Sequence, residues 1–185
     1  MGRVEIIISG FGGQGIVRAG YILGRAAALG ENKESSFVPS YGPEARGGSC
    51  ASRIVIDENK IDFPFVTAVD ILVSMSEEAY DKYIEYLKPE GILLYDEDLV
   101  KIDNRANKAS KIFKIPATRI AEQLGNRIVA NVVMLGFLCA TTKVVSYEAL
   151  RDSVMRGVPQ KFLDLNLKAF DAGYNYMKAQ LRSKI

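Results

Sequence analysis

The sequence predicts an α/β protein with a mainly parallel sheet, helices on both faces and a helical C-terminal third, as in a Rossmann-like three-layer fold. Short segments rich in Ile, Val and Leu, typical of strands buried on both faces, alternate with segments of helical periodicity. A glycine-rich turn joins the first strand to the first helix. The chain has 185 residues, so we expect residues 1–185 to form a single domain.

The predicted elements follow from apolar spacing and from turn residues. The first strand is RVEIIIS (3–9), and the helical pattern after it covers 14–29, with Gly30 as a C-cap. The remaining strands are predicted at 35–42, 50–56, 70–75, 91–96 and 111–116. The remaining helices are predicted at 77–87, 117–125, 131–142, 146–157 and 159–181. Strands that alternate with helices place binding sites at the carboxyl ends of the strands.

Charge and apolar patterning exclude several classes of protein. The net charge is +2, and Lys and Arg are scattered among the acids, so a nucleic-acid partner is not expected. The start MGRVEIIISG has one Arg and a short apolar run, so it indicates neither a signal peptide nor a membrane span. We therefore expect a cytoplasmic protein without a membrane partner.

Cysteine and histidine usage limits the chemistry of the chain. Cys50 and Cys139 are far apart, no C-x-x-C spacing occurs, and there is no His. Structural zinc sites and iron–sulfur clusters need clustered Cys or His ligands, so no metal centre is expected on this chain alone. Without His, the usual general base of hydrolases is also missing. We expect no catalytic acid–base residue from this chain.

The segment GFGGQG (10–15) can be written as the dinucleotide fingerprint G-x-G-x-x-G. Gly10, Gly12 and Gly15 suit a tight turn whose backbone approaches an anion at a helix N-terminus. A dinucleotide fold also places an acid at the end of its second strand, whereas here Glu31 and Glu34 precede that strand. A purely structural turn and a shared anion or cofactor site both remain open.

A second glycine loop, SYGPEARGGS (40–49), combines an exposed-looking Tyr41 and an acid, Glu44, with Arg46. The guanidinium is a rigid fork of donors for carboxylate or phosphate. Gly47 and Gly48 let a ligand or a partner chain approach the backbone. The alternative is a solvated loop with an Arg–Glu pair of little energetic consequence.

Taken together, GFGGQG and SYGPEARGG resemble the gamma subunits of the 2-oxoacid:ferredoxin oxidoreductases, and the second loop resembles the 2-oxoglutarate branch. The resemblance covers nearly the whole chain. It implies an enzyme that oxidatively decarboxylates 2-oxoglutarate with coenzyme A to succinyl-CoA and CO₂, passing electrons to ferredoxin or flavodoxin. It also implies that thiamine diphosphate, Mg²⁺ and [4Fe–4S] clusters belong to the partner alpha, beta and delta subunits, and that this chain alone is inactive. On this resemblance, the wall nearest the CoA thiol or the thiamine adduct is formed by Gly12, Gly13, Gln14 and Gly15. The other cofactor-binding candidates are Gly10 and, beside that wall, Tyr41, Glu44, Arg46, Gly47 and Gly48.

Three alternatives remain at this point. The same role in a pyruvate or other 2-oxoacid oxidoreductase differs only in substrate. A stand-alone nucleotide-binding oxidoreductase would bind NAD(H) without partners. A pure assembly module would contact no ligand, so that changes in both loops would alter complex yield and leave the kinetics unchanged.

Aromatic residues on two predicted helices suggest an interface with partner subunits. Tyr80, Tyr83 and Tyr86 are spaced three apart, and Tyr174 and Tyr176 lie in the last helical segment. We expect some of them to be exposed in the lone chain and covered in a complex. The alternative is that all of them pack in the core of the chain.

Overall fold

One mixed sheet organises the part of the chain that the computed structural model describes, residues 2–41 and 48–182. The strands are β1 Val4–Phe11, β2 Glu34–Ser40, β3 Ser49–Asp57, β4 Val69–Ser74, β5 Leu87–Asp96 and β6 Lys111–Ile115. Their order in the sheet is β2-β3-β1-β4-β5-β6. The β1–β4, β4–β5 and β5–β6 pairs are parallel, and β3 is antiparallel to both β1 and β2. The mainly parallel sheet predicted from the sequence is confirmed.

Helices connect the strands and complete the C-terminal third. They are α1 Ile16–Arg25, α2 Glu77–Tyr83, α3 Ala117–Gln123, α4 Ala130–Thr142, α5 Tyr147–Gly157 and α6 Leu163–Arg182. A π-helical segment, Ala26–Gly30, extends α1, and short 3-10 turns occur at Ile84–Tyr86, Asn104–Lys108, Arg127–Val129 and Gln160–Phe162. Ser146 caps α5 by accepting a hydrogen bond from the Ala149 amide, as its position in the sequence predicts.

Two apolar clusters cover the two faces of the sheet. Ile6 and Ile8 of β1 face a large cluster formed with α1, α3, α4, α5 and α6. Ile7 faces a smaller cluster that includes Tyr80 and Tyr83 of α2. Successive residues of a strand point to opposite faces, so the apolar run in β1 is explained by burial on both sides.

Helices α4 and α6 approach so closely that two glycines are required at their crossing. A β-carbon on Gly136 would lie 2.0 Å from the carbonyl oxygen of Phe170, and one on Gly173 would lie 1.9 Å from that of Val133. Atoms cannot approach to such distances without displacement of the backbone. The crossing therefore tolerates only hydrogen at both positions.

Some element boundaries differ from the sequence-based predictions. The helix predicted over 77–87 ends as α2 at Tyr83, and β5 begins at Leu87, four residues before the predicted strand. Tyr80 and Tyr83 are fully buried, so the predicted aromatic interface does not include them, while Tyr86 is 50% exposed.

Within 2–41 and 48–182, no helix has the length and apolar character that a transmembrane span requires.

Candidate functional site

The two glycine loops meet at the carboxyl end of β1. Antiparallel pairing places Phe11 opposite Ser49, and the Gly12 amide donates a hydrogen bond to the Gly48 carbonyl over 3.0 Å. The register of two neighbouring strands thus joins the turn after β1 to the segment before β3. The described residues of both loops therefore lie at the carboxyl end of β1.

Gln14 closes the crevice between the ends of β1 and β4. Its Oε1 accepts a hydrogen bond from the Phe11 amide over 2.6 Å, and its Nε2 donates to the Met75 carbonyl over 2.9 Å. In this sheet the chain turns to opposite sides after β1 and β4, and ligands of doubly wound folds bind at such a switch point. Here a side chain of the protein spans it, which disfavours a dinucleotide at that position.

Gly15 begins α1 and is fixed by its backbone and by a neighbour. Its φ is 74°, in the left-handed region, and a β-carbon there would lie 2.4 Å from Nδ2 of Asn131. Nδ2 of the buried Asn131 donates to the Gly15 carbonyl over 3.0 Å, which ties the start of α4 to the start of α1. Gly13 also has a positive φ, 99°, and space around it.

The first amides of α1 have no intrahelical hydrogen-bond partner. The Ala19 amide bonds to the Gly15 carbonyl and so makes the first intrahelical hydrogen bond. The preceding amides, from Ile16 to Arg18, have no carbonyl one turn earlier and carry the positive end of the helix dipole. Arg18 adds an exposed guanidinium on the same turn.

A wide cleft of about 860 Å³ opens in front of this helix terminus. Its walls come from α1, from the segment that leads into α4, and from the connection between α5 and α6. The lining residues are Gly12, Gly13, Gly15, Ile16, Val17, Arg18, Tyr21, Phe37, Tyr41, Cys50, Asn126, Ile128, Val129, Asn131, Val132, Gly157, Pro159, Phe162, Leu165 and Asn166.

The cleft is apolar, with one cation among its described lining residues. Tyr21, Ile128 and Phe162 leave much of their side chains exposed, and Tyr41 is 70% exposed. Arg18 is the only charged side chain among the residues just named. A ligand that matches these walls carries an apolar or extended part and at least one negative group.

Both cysteines are buried, and only Cys50 reaches the cleft. Burial raises the pKa of the Cys50 thiol. Burial also raises the pKa of Cys139 to about 12, with smaller contributions from Glu148 and Glu31. Since the thiolate is the nucleophile and the metal ligand, neither thiol is activated at neutral pH. Among residues 2–41 and 48–182, no three His, Cys, Asp or Glu side chains are grouped to hold a metal ion.

The structure places the predicted site residues in three groups. Gly12, Gly13, Gly15 and Tyr41 line the cleft. Gly10, Gln14 and Gly48 serve the turn itself, because they pack or bond within it. Glu44, Arg46 and Gly47 lie outside the described residues, and their roles stay predictions.

Sequence reasoning missed the wall of the cleft opposite α1. Asn131, Ile128 and Phe162 belong to segments distant from both glycine loops. The only sequence signal was a polar Asn at the start of an otherwise apolar helical run, because a buried Asn needs a hydrogen-bond partner. Ile128 and Phe162 resemble ordinary core positions in the sequence.

The fold and the cleft define a doubly wound α/β protein that presents a glycine turn and a helix N-terminus to an apolar, cation-bearing cleft. Residues 5–176 match the pyruvate ferredoxin/flavodoxin oxidoreductase family, and the chain belongs to that family.

Relatives within the family differ in identity and in length. The chain is 51% identical over 177 residues to the 2-oxoglutarate synthase subunit KorC of Methanocaldococcus jannaschii, covering 95% of each chain. It is 31% identical to the ketoisovalerate oxidoreductase subunit VorA of Methanothermobacter thermautotrophicus. That alignment covers 99% of this chain but only 38% of VorA. The crystal structure of a keto/oxoacid ferredoxin oxidoreductase gamma subunit from Geobacter sulfurreducens superposes with a TM-score of 0.84 at 40% identity, covering 95% of this chain and 96% of that one.

Proposed function

We propose that this chain is the gamma subunit of a 2-oxoglutarate:ferredoxin oxidoreductase. The complex converts 2-oxoglutarate, CoA and an oxidised acceptor to succinyl-CoA, CO₂ and the reduced acceptor. Ferredoxin or flavodoxin takes the two electrons.

The observation that carries this proposal is the contrast in identity among relatives. The 2-oxoglutarate synthase subunit of Methanocaldococcus jannaschii is 51% identical and matches almost end to end, whereas the ketoisovalerate subunit of Methanothermobacter thermautotrophicus is 31% identical. The nearly whole-chain match to the gamma subunit from Geobacter sulfurreducens supports the same role. The loop SYGPEARGG in this sequence points to the same branch of the family.

In this proposal the redox and decarboxylation chemistry belongs to other subunits. Thiamine diphosphate, Mg²⁺ and the [4Fe–4S] clusters are held by the alpha, beta and delta subunits. Residues 2–41 and 48–182 do not suit Mg²⁺ or a [4Fe–4S] cluster, because they provide no cluster of three metal-ligand side chains and their two thiols are buried with raised pKa. The complex operates in the cytoplasm.

The contribution of this chain is a wall that orients CoA. The extended arm of CoA suits the apolar lining formed by Tyr21, Ile128 and Phe162. Arg18 and the first amides of α1 bind a phosphate or carboxylate, because charge-assisted hydrogen bonds at a helix N-terminus favour anions. Gly13, with space around it, lets the ligand approach the backbone.

The test is reconstitution of the complex with its partner subunits. The readout is CoA-dependent reduction of ferredoxin with 2-oxoglutarate, pyruvate and 2-oxoisovalerate as competing substrates. We expect kcat/KM for 2-oxoglutarate to exceed the other two values by about tenfold or more, and we expect the isolated chain to be inactive.

Two outcomes would contradict the proposal. Equal or higher kcat/KM with pyruvate would assign the chain to another branch of the family. Micromolar NAD(H) binding by the isolated chain, with dehydrogenase activity, would instead favour the stand-alone oxidoreductase.

A further inference from the structure

The segment between β3 and β4 presents two phenylalanine rings to solvent. Phe63 is 52% exposed and Phe65 is 51% exposed, and their ring centroids are 5.5 Å apart in an edge-to-face arrangement. Neither ring belongs to the apolar clusters on the two faces of the sheet. The two rings therefore contribute little to the stability of the fold, and water contacts both.

The backbone beneath the rings is held at three successive carbonyls. Arg3 donates from Nη1 to the Phe63 carbonyl over 2.9 Å and from Nη2 to the Phe65 carbonyl over 3.0 Å. The Pro64 carbonyl between them accepts a hydrogen bond from Ser36 Oγ over 2.8 Å. These three hydrogen bonds restrain the backbone of the segment.

A buried carboxylate supports the same segment from the sheet. Glu5 is 5% exposed, accepts a hydrogen bond from Arg3 Nε over 2.8 Å, and also accepts hydrogen bonds from the amides of Thr67 and Ala68. Burying a charge is costly unless it is paired and hydrogen-bonded. The hydrogen bonds to the Glu5 carboxylate therefore stabilise the loop that carries the two rings. The visible result is the restrained position of two exposed aromatic rings.

Rigid aromatic side chains are the usual energetic centre of protein interfaces. Preorganisation lowers the entropy lost on binding, and well-packed aromatic anchors dominate the affinity of many complexes. The rings lie at the amino ends of β1 and β4, whereas the glycine turn and cleft lie at the carboxyl ends. A partner bound to the rings would leave the cleft accessible.

The charge of the segment that precedes the rings specifies the partner further. Residues 57–62 carry three carboxylates, Asp57, Glu58 and Asp62, and one cation, Lys60, which lies 3.7 Å from Asp62, so the segment has a net negative charge. A complementary surface therefore has an apolar recess for the rings and a basic rim. The family context supports a permanent partner, because this chain corresponds to only 38% of VorA, in which the domain is covalently joined to further sequence.

We propose that Phe63 and Phe65 form an assembly anchor that inserts into a basic-rimmed apolar recess on a partner subunit of the same oxidoreductase. This inference rests on the proposed function for the identity of the complex. It assigns the amino-end edge of the sheet to assembly and leaves the carboxyl-end edge for ligand.

The experiment adds purified chain to a partner complex that lacks it and measures both the Kd and the recovered activity. The double variant Phe63→Ser/Phe65→Ser should bind about tenfold or more weakly, with an unchanged Tm, because both rings lie outside the core. Leu29→Ser is the matched control, since it removes another exposed apolar side chain, 76% exposed, and should change Kd less than about twofold. Asp62→Lys should slow association several-fold at low salt and have little effect at high salt.

Several results would overturn the anchor. They are wild-type affinity of the double variant, an equal loss in Leu29→Ser, faster association of Asp62→Lys, and self-association of the wild-type chain that the double variant abolishes. A wild-type chain that binds no partner overturns both proposals. A complex that assembles through the rings but prefers pyruvate supports the anchor and refutes only the 2-oxoglutarate assignment.

Discussion

Oε1 of Gln14 lies 2.3 Å from the position that a β-carbon on Gly10 would occupy. The first glycine of the turn therefore makes room for a side chain of the protein rather than for a ligand. That side chain joins the ends of β1 and β4 through its hydrogen bonds to Phe11 and Met75. The fingerprint pattern is thus explained in part by internal packing.

This relationship predicts strong energetic coupling between the two positions. Gly10→Ala should destabilise the chain by about 1–3 kcal/mol through overpacking, and Gln14→Ala by about 1–2 kcal/mol through lost hydrogen bonds. In the double variant the clash with Oε1 is absent, so the combined loss should be smaller than the sum by about 1 kcal/mol. Urea unfolding of the four proteins measures the coupling, and strictly additive losses would contradict it.

The crossing of α4 and α6 predicts a severe effect of one methyl group. Gly173→Ala should cost about 3 kcal/mol or more, because the new carbon meets a backbone carbonyl that cannot rotate away. Gly24→Ala in α1 is the control, since its β-carbon would meet two side-chain atoms, Ser35 Oγ at 3.1 Å and Phe37 Cβ at 3.8 Å, and no backbone atom, and alanine favours helix by about 1 kcal/mol. Thermal unfolding should separate the two variants by about 6 °C or more for a domain of this size. Similar Tm values would show that the helices can separate at little cost.

Glu5 predicts how stability depends on pH. Burial alone would raise the pKa of this carboxyl, but hydrogen bonds from Arg3, Ala68 and Thr67 outweigh it and hold the pKa below its usual value. A carboxyl with a depressed folded pKa stabilises the fold above its unfolded pKa, about 4.3, and that stability is lost as the pH falls through the folded pKa.

Glu5→Gln should therefore lower Tm at pH 7 and have a much smaller effect near pH 3. The measurement is a series of thermal unfolding curves across this range for the wild type and the variant. A loss of Tm that is the same at pH 7 and pH 3 would mean that ionisation of Glu5 does not contribute.

Two arginines give separate kinetic predictions for the proposed site. Arg46→Ala should lower kcat/KM for CoA or 2-oxoglutarate by about tenfold or more without changing Tm, and the affected substrate identifies the anion.

Arg18→Ala, in the cleft, should raise KM for CoA by a similar factor. Lys101→Ala serves as the control for loss of an exposed cation. Values within about twofold of the wild type for both arginine variants would remove them from the site.

The fold was largely predictable because its strands are short apolar runs and its helices have regular apolar spacing. The direction of β3 was not, since periodicity does not distinguish parallel from antiparallel neighbours. Leu87 begins a strand because it pairs with Val69 of β4, although the local pattern extended a helix to this residue.

Part of the candidate site was predictable, and for two of its glycines the reason is backbone conformation. Gly13 and Gly15 have the positive φ values that such a turn requires. Asn131 and the far wall of the cleft depend on tertiary contacts across more than a hundred residues, which no local pattern encodes. Phe63 and Phe65 were also missed, because their exposure depends on hydrogen bonds from Arg3 and Ser36 to carbonyls.

The antiparallel pairing of β2 with β3 has a consequence for how such a protein diversifies. Ser40 and Ala51 are fixed as partners in the sheet, and Gly48 is fixed by Gly12, so the two ends of the intervening segment are held whatever its sequence. Closing a longer segment between fixed ends costs little, about 0.6 kcal/mol for a doubling of length. Insertions between Ser40 and Gly48 can therefore be accommodated while the sheet, the helix crossing and the opposite edge stay unchanged.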